Sequence, residues 1–370
     1  LPQYFKAPDT VFTPRVLKDG ADSVGVLGAL NRVFINIGLF SEEWLLHFNA
    51  LVGGQKVTPI KIEDAEKNSS YWNATTAQTA DVALFFLKTA KPDLLKDSPG
   101  GEKYLSTDKA KLNRGKVVFA ENCARCHSSK IPEAPQGVDD KSWDQYWAWT
   151  KTDDFKKKMT EMVMADDFLN ENYLSTERRI PVTLLQTNAC SPLATNAIAG
   201  NIWDNFSSQS YKDLPSVGSI TVHNPIDGST SEYAMPAGGR GYTRVPSLIS
   251  LWSTAPFLLN NSVGKFNPSP SVEGRMDSFN DSIMKMLWPE KRDKDPILAD
   301  KVPGFIYRTT ETSYIKLAPG FLPQSLRKLL SWNDWLASWF PWLLSEEGIR
   351  IGPIPKGTPV NLLTNIDLDS

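Results

Sequence analysis

Apolar positions recur at helical spacing in several stretches of the chain. Residues 112–122 (LNRGKVVFAEN) read as a helix, with Gly115 and Phe119 four apart on one face, where a crossing helix has room to pack. Ser41-Glu42-Glu43-Trp44 has the composition of a helix start, and Trp44, Leu45, Phe48 and Leu51 continue it as a broad apolar face. Residues 80–89 predict another helix, ended near Pro92. Trp143, Tyr146, Trp147 and Trp149 cluster on a further one. Residues 155–169 carry Met159, Met162 and Met164 among Lys and Asp, a pattern of core or helix face rather than of metal ligation. Residues 277–288 predict a helix closed by Pro289, with Phe279, Ile283, Met286 and Leu287 on one face. Residues 325–344 hold Trp332, Trp335, Trp339 and Trp342 with few charges. They read as a buried helix or a subunit contact, with a membrane interface as the competing reading.

These segments predict a mainly α-helical protein. Residues 1–98 form a helical lead-in, set off by the loop Lys96 to Glu102 (KDSPGGE). Residues 99–290 form a central domain with a long insertion at 131–230, and residues 291–370 a helical and extended tail. A length of 370 residues suits two ordinary domains or one large domain with insertions. With 41% hydrophobic and 22% charged residues, the chain can bury a core and is not of disordered composition. Lys and Arg number 40 against 42 Asp and Glu, a balance that argues against nucleic acid as a partner. The longest apolar run, residues 24–40, is interrupted by Asn31, Arg32 and Asn36, so no membrane-spanning segment is predicted. No secretory signal is visible at Leu1, which says little about compartment in a chain that does not start with Met.

Three Cys exclude a disulfide scaffold. Two of them lie in Cys123-Ala124-Arg125-Cys126-His127, a C-x-x-C-H run. A thioredoxin-like pair wants a βαβ context, which the flanks lack. A zinc site needs two further ligands at close spacing, whereas Cys190, His47 and His223 are scattered singly. Cys190 reads as a small buried residue. The third reading is one covalent c-type haem: the two thiols add to the vinyl groups and the adjacent His127 binds the iron. One helical turn places both sulfurs along one haem edge with the imidazole beneath the iron. On this reading residues 99–290 are a cytochrome c-type haem domain with large, mostly helical insertions and long loops. Attachment of c-type haem takes place outside the cytoplasm, which implies a bacterial periplasm or an equivalent space, with membrane association left open.

A second signal follows at Tyr242-Thr243-Arg244-Val245-Pro246-Ser247-Leu248, then Trp252-Ser253-Thr254-Ala255-Pro256-Phe257-Leu258-Leu259-Asn260-Asn261-Ser262. Together with the C-x-x-C-H run, this stretch resembles the bacterial di-haem cytochrome c peroxidase superfamily, and in particular its large rubber-oxygenase-like members. The resemblance runs from about Asn31 to the tail Gly352-Pro353-Ile354-Pro355-Lys356-Gly357-Thr358-Pro359-Val360-Asn361-Leu362-Leu363. It implies that Arg244 lies near the haem propionates, where a guanidinium pairs well with carboxylate; a surface salt bridge is the competing reading. It also implies that Tyr242, Trp252 and Phe257 pack on the haem side. The chain departs from the family in having one C-x-x-C-H where two are usual, and Leu259 where many relatives carry His. The catalytic roles of a second haem do not carry over.

The opposite axial ligand needs a soft or imidazole donor. Met235, before Pro236 in a Gly-rich loop, is the first candidate; Met276 and His223 follow, and His47 reads as structural. The function expected is electron transfer by a periplasmic c-type cytochrome with a redox partner protein. A haem enzyme, peroxidase or oxygenase, and a haem subunit of a larger redox complex are the alternatives.

Overall fold

The computed structural model describes residues 48–49, 53–54, 66–140, 142–176, 178–185, 212–258, 261–317 and 349–360. The apolar run 24–40, the helix start at Ser41, His47, Cys190, Leu259 and the Trp-rich stretch 325–344 lie outside those residues.

Helix α1 (Ser70–Thr89) starts ten residues before the predicted 80–89, capped by the Ser69 hydroxyl, which accepts from Trp72 N at 3.0 Å. Helix α2 (Lys109–Asn122) runs into the C-x-x-C-H segment, and Asp108 caps it by accepting from Lys111 N at 3.0 Å. Helix α3 (Trp143–Trp149) is followed at once by α4 (Asp153–Met164). Thr152 caps α4, and Asp153 and Asp154 place negative charge in its first turn, where the helix dipole favours it. After the single turn α5 (Val182–Leu185) comes α6 (Val272–Leu287), capped by Ser271.

The core nearest the C-x-x-C-H segment forms where α2 packs on α4. Ala120 and Ala124, from α2 and the turn after it, meet Tyr146 and Trp149 of α3 and Phe155, Met159 and Val163 of α4. Trp149 and Phe155 meet edge to face at 5.0 Å, and Phe119 and Phe168 at 6.2 Å. Met159 is fully buried, Met162 packs on the cluster and Met164 is exposed, so the methionine run is core and helix face. In α6 the buried residues are Met276 and the small residues Gly274, Ser278 and Ser282, while Leu287 of the predicted apolar face is exposed. Small residues win there because the loop backbone comes close: a Cβ on Gly264, whose φ is +110°, would strike the Ser282 hydroxyl.

The expected mainly α-helical class, with mostly helical insertions, does not hold. The described residues are 38% helix and 12% strand. The strands form two-stranded antiparallel ribbons: β1 (Phe48–Asn49) with β2 (Gly53–Gly54), β3 (Arg179–Pro181) with β6 (Tyr242–Arg244), β4 (Ser219–His223) with β5 (Thr230–Ala234), and β7 (Ser313–Leu317) with β8 (Ile349–Ile354). The physical reason is local. Ser219 to His223 alternates with β-branched residues, and the turn before Thr230 contains Asp227-Gly228, with φ +76° at the glycine. β3 with β6 and β7 with β8 join segments far apart in sequence, a pairing that hydrophobic periodicity does not report.

The chain divides into two compact units, each discontinuous in sequence. The first comprises residues 1–36, 60–219 and 234–292, the second residues 37–59, 220–233 and 293–370. The second unit is pinned at Asp295. Its buried carboxylate accepts from Ile297 N (3.0 Å), Leu298 N (2.8 Å), Ile306 N (3.1 Å) and Arg308 Nη1 (2.6 Å). Arg308 also reaches the Pro225 carbonyl at 3.4 Å. Among the described residues no helix is long and apolar enough to cross a membrane.

Candidate haem site

Helix α2 ends where Cys123 N and Ala124 N both donate to the Phe119 carbonyl at 2.9 Å. One further turn follows: Cys126 N and His127 N donate to the Cys123 carbonyl at 3.0 and 2.9 Å. Cys123, Cys126 and His127 thereby share one turn, and both thiols are free and partly buried. Burial raises both thiols above the ordinary range, Cys126 to about 11, against the opposing pull of the Arg125 charge. Ala124, between the two cysteines, is buried in the core.

Two distant segments enclose His127. Its Nδ1 donates to the Pro246 carbonyl at 3.2 Å. Burial lowers the imidazole pKa, while carbonyls of Pro246 and Leu174 act in the opposite direction. A neutral ring protonated on Nδ1 carries its lone pair on Nε2, the form in which histidine binds metals. The enclosing segments are stitched to each other. Ser175 donates to the Val245 carbonyl at 2.6 Å, Leu248 N to the Leu174 carbonyl at 3.2 Å, and the Ser247 hydroxyl to the Tyr173 carbonyl at 2.7 Å. The β3–β6 ribbon continues this pairing, with Arg179 opposite Arg244.

Arg244 therefore sits two residues from the carbonyl that orients His127, and its guanidinium nitrogens are buried. Met235 is 3% exposed. Its methyl packs at Gly241, where a Cβ would come within 2.7 Å of it, and Gly241 directly precedes β6. The structure thus brings Cys123, Cys126 and His127 together on one turn. Arg244 joins through Pro246, and Met235 joins the foot of the same ribbon. Met276 is buried on α6, and His223, in the second unit, binds the Lys301 carbonyl through Nδ1 at 3.0 Å. Phe257 packs on Phe279, and Trp252 donates to the Asp93 carbonyl at 2.6 Å.

Three residues that the sequence did not mark as site residues complete the site. Asn172 is buried and accepts from Ser129 N (3.1 Å) and Leu174 N (2.9 Å) while donating to the Ser128 hydroxyl (3.0 Å). It fixes the chain just after His127. Tyr146 donates to the Arg125 carbonyl, and Arg178 lies over the Tyr146 ring at 3.6 Å.

The donor set fits a covalently attached haem. Two thiols three residues apart are available for thioether bonds, an imidazole is oriented through its second nitrogen, and Arg244, two residues from the orienting carbonyl, carries a buried guanidinium. Among the described residues no group of three or more His, Cys, Asp or Glu side chains is placed to hold a bare metal ion. No family model, curated protein or solved structure matches the chain.

Proposed function

We propose that this chain is a c-type cytochrome of the periplasm or an equivalent space, with one haem joined to Cys123 and Cys126 and His127 on its iron, serving electron transfer with a redox partner protein. The observation that carries the reading is the orientation of His127 by the Pro246 carbonyl on the same turn as two free thiols. When bound, haem supplies an iron that takes up and releases one electron.

The residues of the chain do the rest. Pro246 holds the imidazole in its metal-binding tautomer. Arg244 offers buried positive charge to a carboxylate at little entropic cost, because the β3–β6 ribbon holds its backbone. Met235 is the candidate for the opposite ligand, and its burial favours the reading. A thioether kept from water suits a six-coordinate iron that changes charge without admitting small molecules. That weighs for electron transfer against a peroxidase or oxygenase. The resemblance to the di-haem peroxidase superfamily supplies the haem-domain setting, and a place as haem subunit of a larger redox complex is compatible with the same site.

The test is spectroscopic. Protein expressed with a c-type maturation system should keep its colour through denaturation and acid–acetone extraction. It should be low-spin in both oxidation states. Freely extracted haem defeats the attachment; a high-spin iron that binds carbon monoxide at once on reduction defeats electron transfer in favour of an enzyme.

A further inference from the structure

Arg125 occupies the middle of the C-x-x-C-H segment, between the thiols. Were the helix to continue, the Arg125 carbonyl would accept from Ser129 N, four residues on. It does not, because Ser129 N donates to Asn172 Oδ1 at 3.1 Å. The helix has ended at Asn122 and one further turn follows it, after which the Tyr146 hydroxyl supplies the donor that a continued helix would have given. Tyr146 is itself held firmly. It is 1% exposed, and the Arg178 guanidinium lies 3.6 Å from its ring centroid. Arg178 is fixed in turn by the Asp140 carbonyl and, at 3.3 Å, by the Asp140 carboxylate. A line of four residues, Asp140, Arg178, Tyr146 and Arg125, braces the turn that carries both sulfurs.

We propose that Tyr146 is a positioning residue for haem attachment: by binding the Arg125 carbonyl, its hydroxyl fixes the thiol-bearing turn and sets how readily both Cys123 and Cys126 are joined to haem. The inference rests on the haem reading above. Each thioether forms when one S–H adds across one vinyl double bond. Sulfur bonds to one carbon and hydrogen to the other, with no net oxidation or reduction. The addition demands two sulfurs at a set separation, which an unbraced turn would hold only part of the time.

Tyr146→Phe keeps the ring beneath Arg178 and removes only the hydroxyl. Phe155→Leu, in the same core but with no hydrogen bond to the turn, is the stability control. Two quantities are read on the full-length chain. One is amide hydrogen exchange at Cys126 and His127 in the haem-free protein. The other is the fraction of chains carrying covalent haem, by intact mass, after expression with a maturation system. Tyr146→Phe should speed exchange at those amides roughly tenfold and cut the covalent fraction several-fold. Phe155→Leu should lower Tm while leaving both quantities as in wild type. Wild-type exchange and attachment in Tyr146→Phe overturn the proposal, as does faster exchange with undiminished attachment. Equal losses in Phe155→Leu overturn it too, since stability alone would then explain them. A wild-type chain that acquires no covalent haem sinks the haem reading itself, and the proposal with it, on a measurement that involves no variant.

Discussion

His127 donates through Nδ1 to the Pro246 carbonyl at 3.2 Å, across 119 residues of chain. The acceptor is main chain, so no side-chain change at position 246 removes it. The sensitive partner is the histidine. If haem is attached as proposed, His127→Ala should leave both thiols able to hold it but deprive the iron of its imidazole. The expected spectrum is high-spin and returns toward low-spin on adding free imidazole. A low-spin spectrum in His127→Ala without added imidazole would show that another side chain serves as the proximal ligand.

Met235 separates packing from ligation by the choice of substitution. Met235→Leu conserves volume and should cost under about 1.5 kcal/mol of stability. Met235→Ala opens a cavity and should cost about 2–5 kcal/mol. Both should abolish the sulfur-to-iron charge-transfer band if the thioether binds iron. A band that survives in Met235→Leu moves the ligand to Met276, to a histidine, or to a residue outside the described parts of the chain.

The core under the thiol turn gives a direct stability prediction. Phe155 is fully buried, in edge contact with Trp149. Phe155→Ala should cost about 3–5 kcal/mol in urea unfolding. Leu287→Ala, at a residue 57% exposed on α6, should stay within about 0.5 kcal/mol. Comparable losses at the two positions would contradict the packing described.

Two glycines should respond with opposite sign. Gly115 lies inside α2, and a methyl group added there would meet nothing within 4 Å, so Gly115→Ala should stabilise by about 0.5–1 kcal/mol through helix propensity. Gly264→Ala should destabilise, because its φ is +110° and the added methyl meets Ser282. Thermal melts of the two variants check both signs, and a destabilised Gly115→Ala would indicate that something packs on that face in the protein as purified.

Asp295 sets an acid limit on the second unit. The Arg308 hydrogen bond, followed by three main-chain amides, holds its carboxyl well below the usual carboxylate range, despite the opposing effect of burial. A depressed folded-state pKa gives stability that is fully present above the unfolded value of about 3.9 and is lost as pH falls through the folded value. The wild type should therefore lose Tm progressively below about pH 4. Asp295→Asn should melt lower at neutral pH and show a shallower acid decline. Parallel Tm–pH curves for the two proteins would remove Asp295 from the explanation.

What the sequence made legible was local. Residues 112–122 are a helix because their spacing and the Asp108 cap act within a few residues, and the main-chain bonds of the thiol turn are equally local. The ribbons escaped because β3 meets β6 across some sixty residues, and three-residue strands carry too little alternation to be seen. The apolar face assigned to α6 missed the serines at 278 and 282, since close approach of the Gly264 loop rewards small residues over large ones. Asn172 and Tyr146 were invisible as site residues for the same reason. Their roles lie in which backbone groups they satisfy, a property of the folded chain.

The thiol turn and the imidazole seat have different histories along the polypeptide. The main-chain bonds within the turn span three to five residues, and its brace from Tyr146 comes from 21 residues along the chain. The seat for the imidazole exists only once residues near 174 and 246 have been brought against the turn, which closes a far longer loop. During synthesis His127 therefore leaves the ribosome 119 residues ahead of the carbonyl that orients it. The turn's own bonds are local, whereas the imidazole's environment belongs to the finished fold.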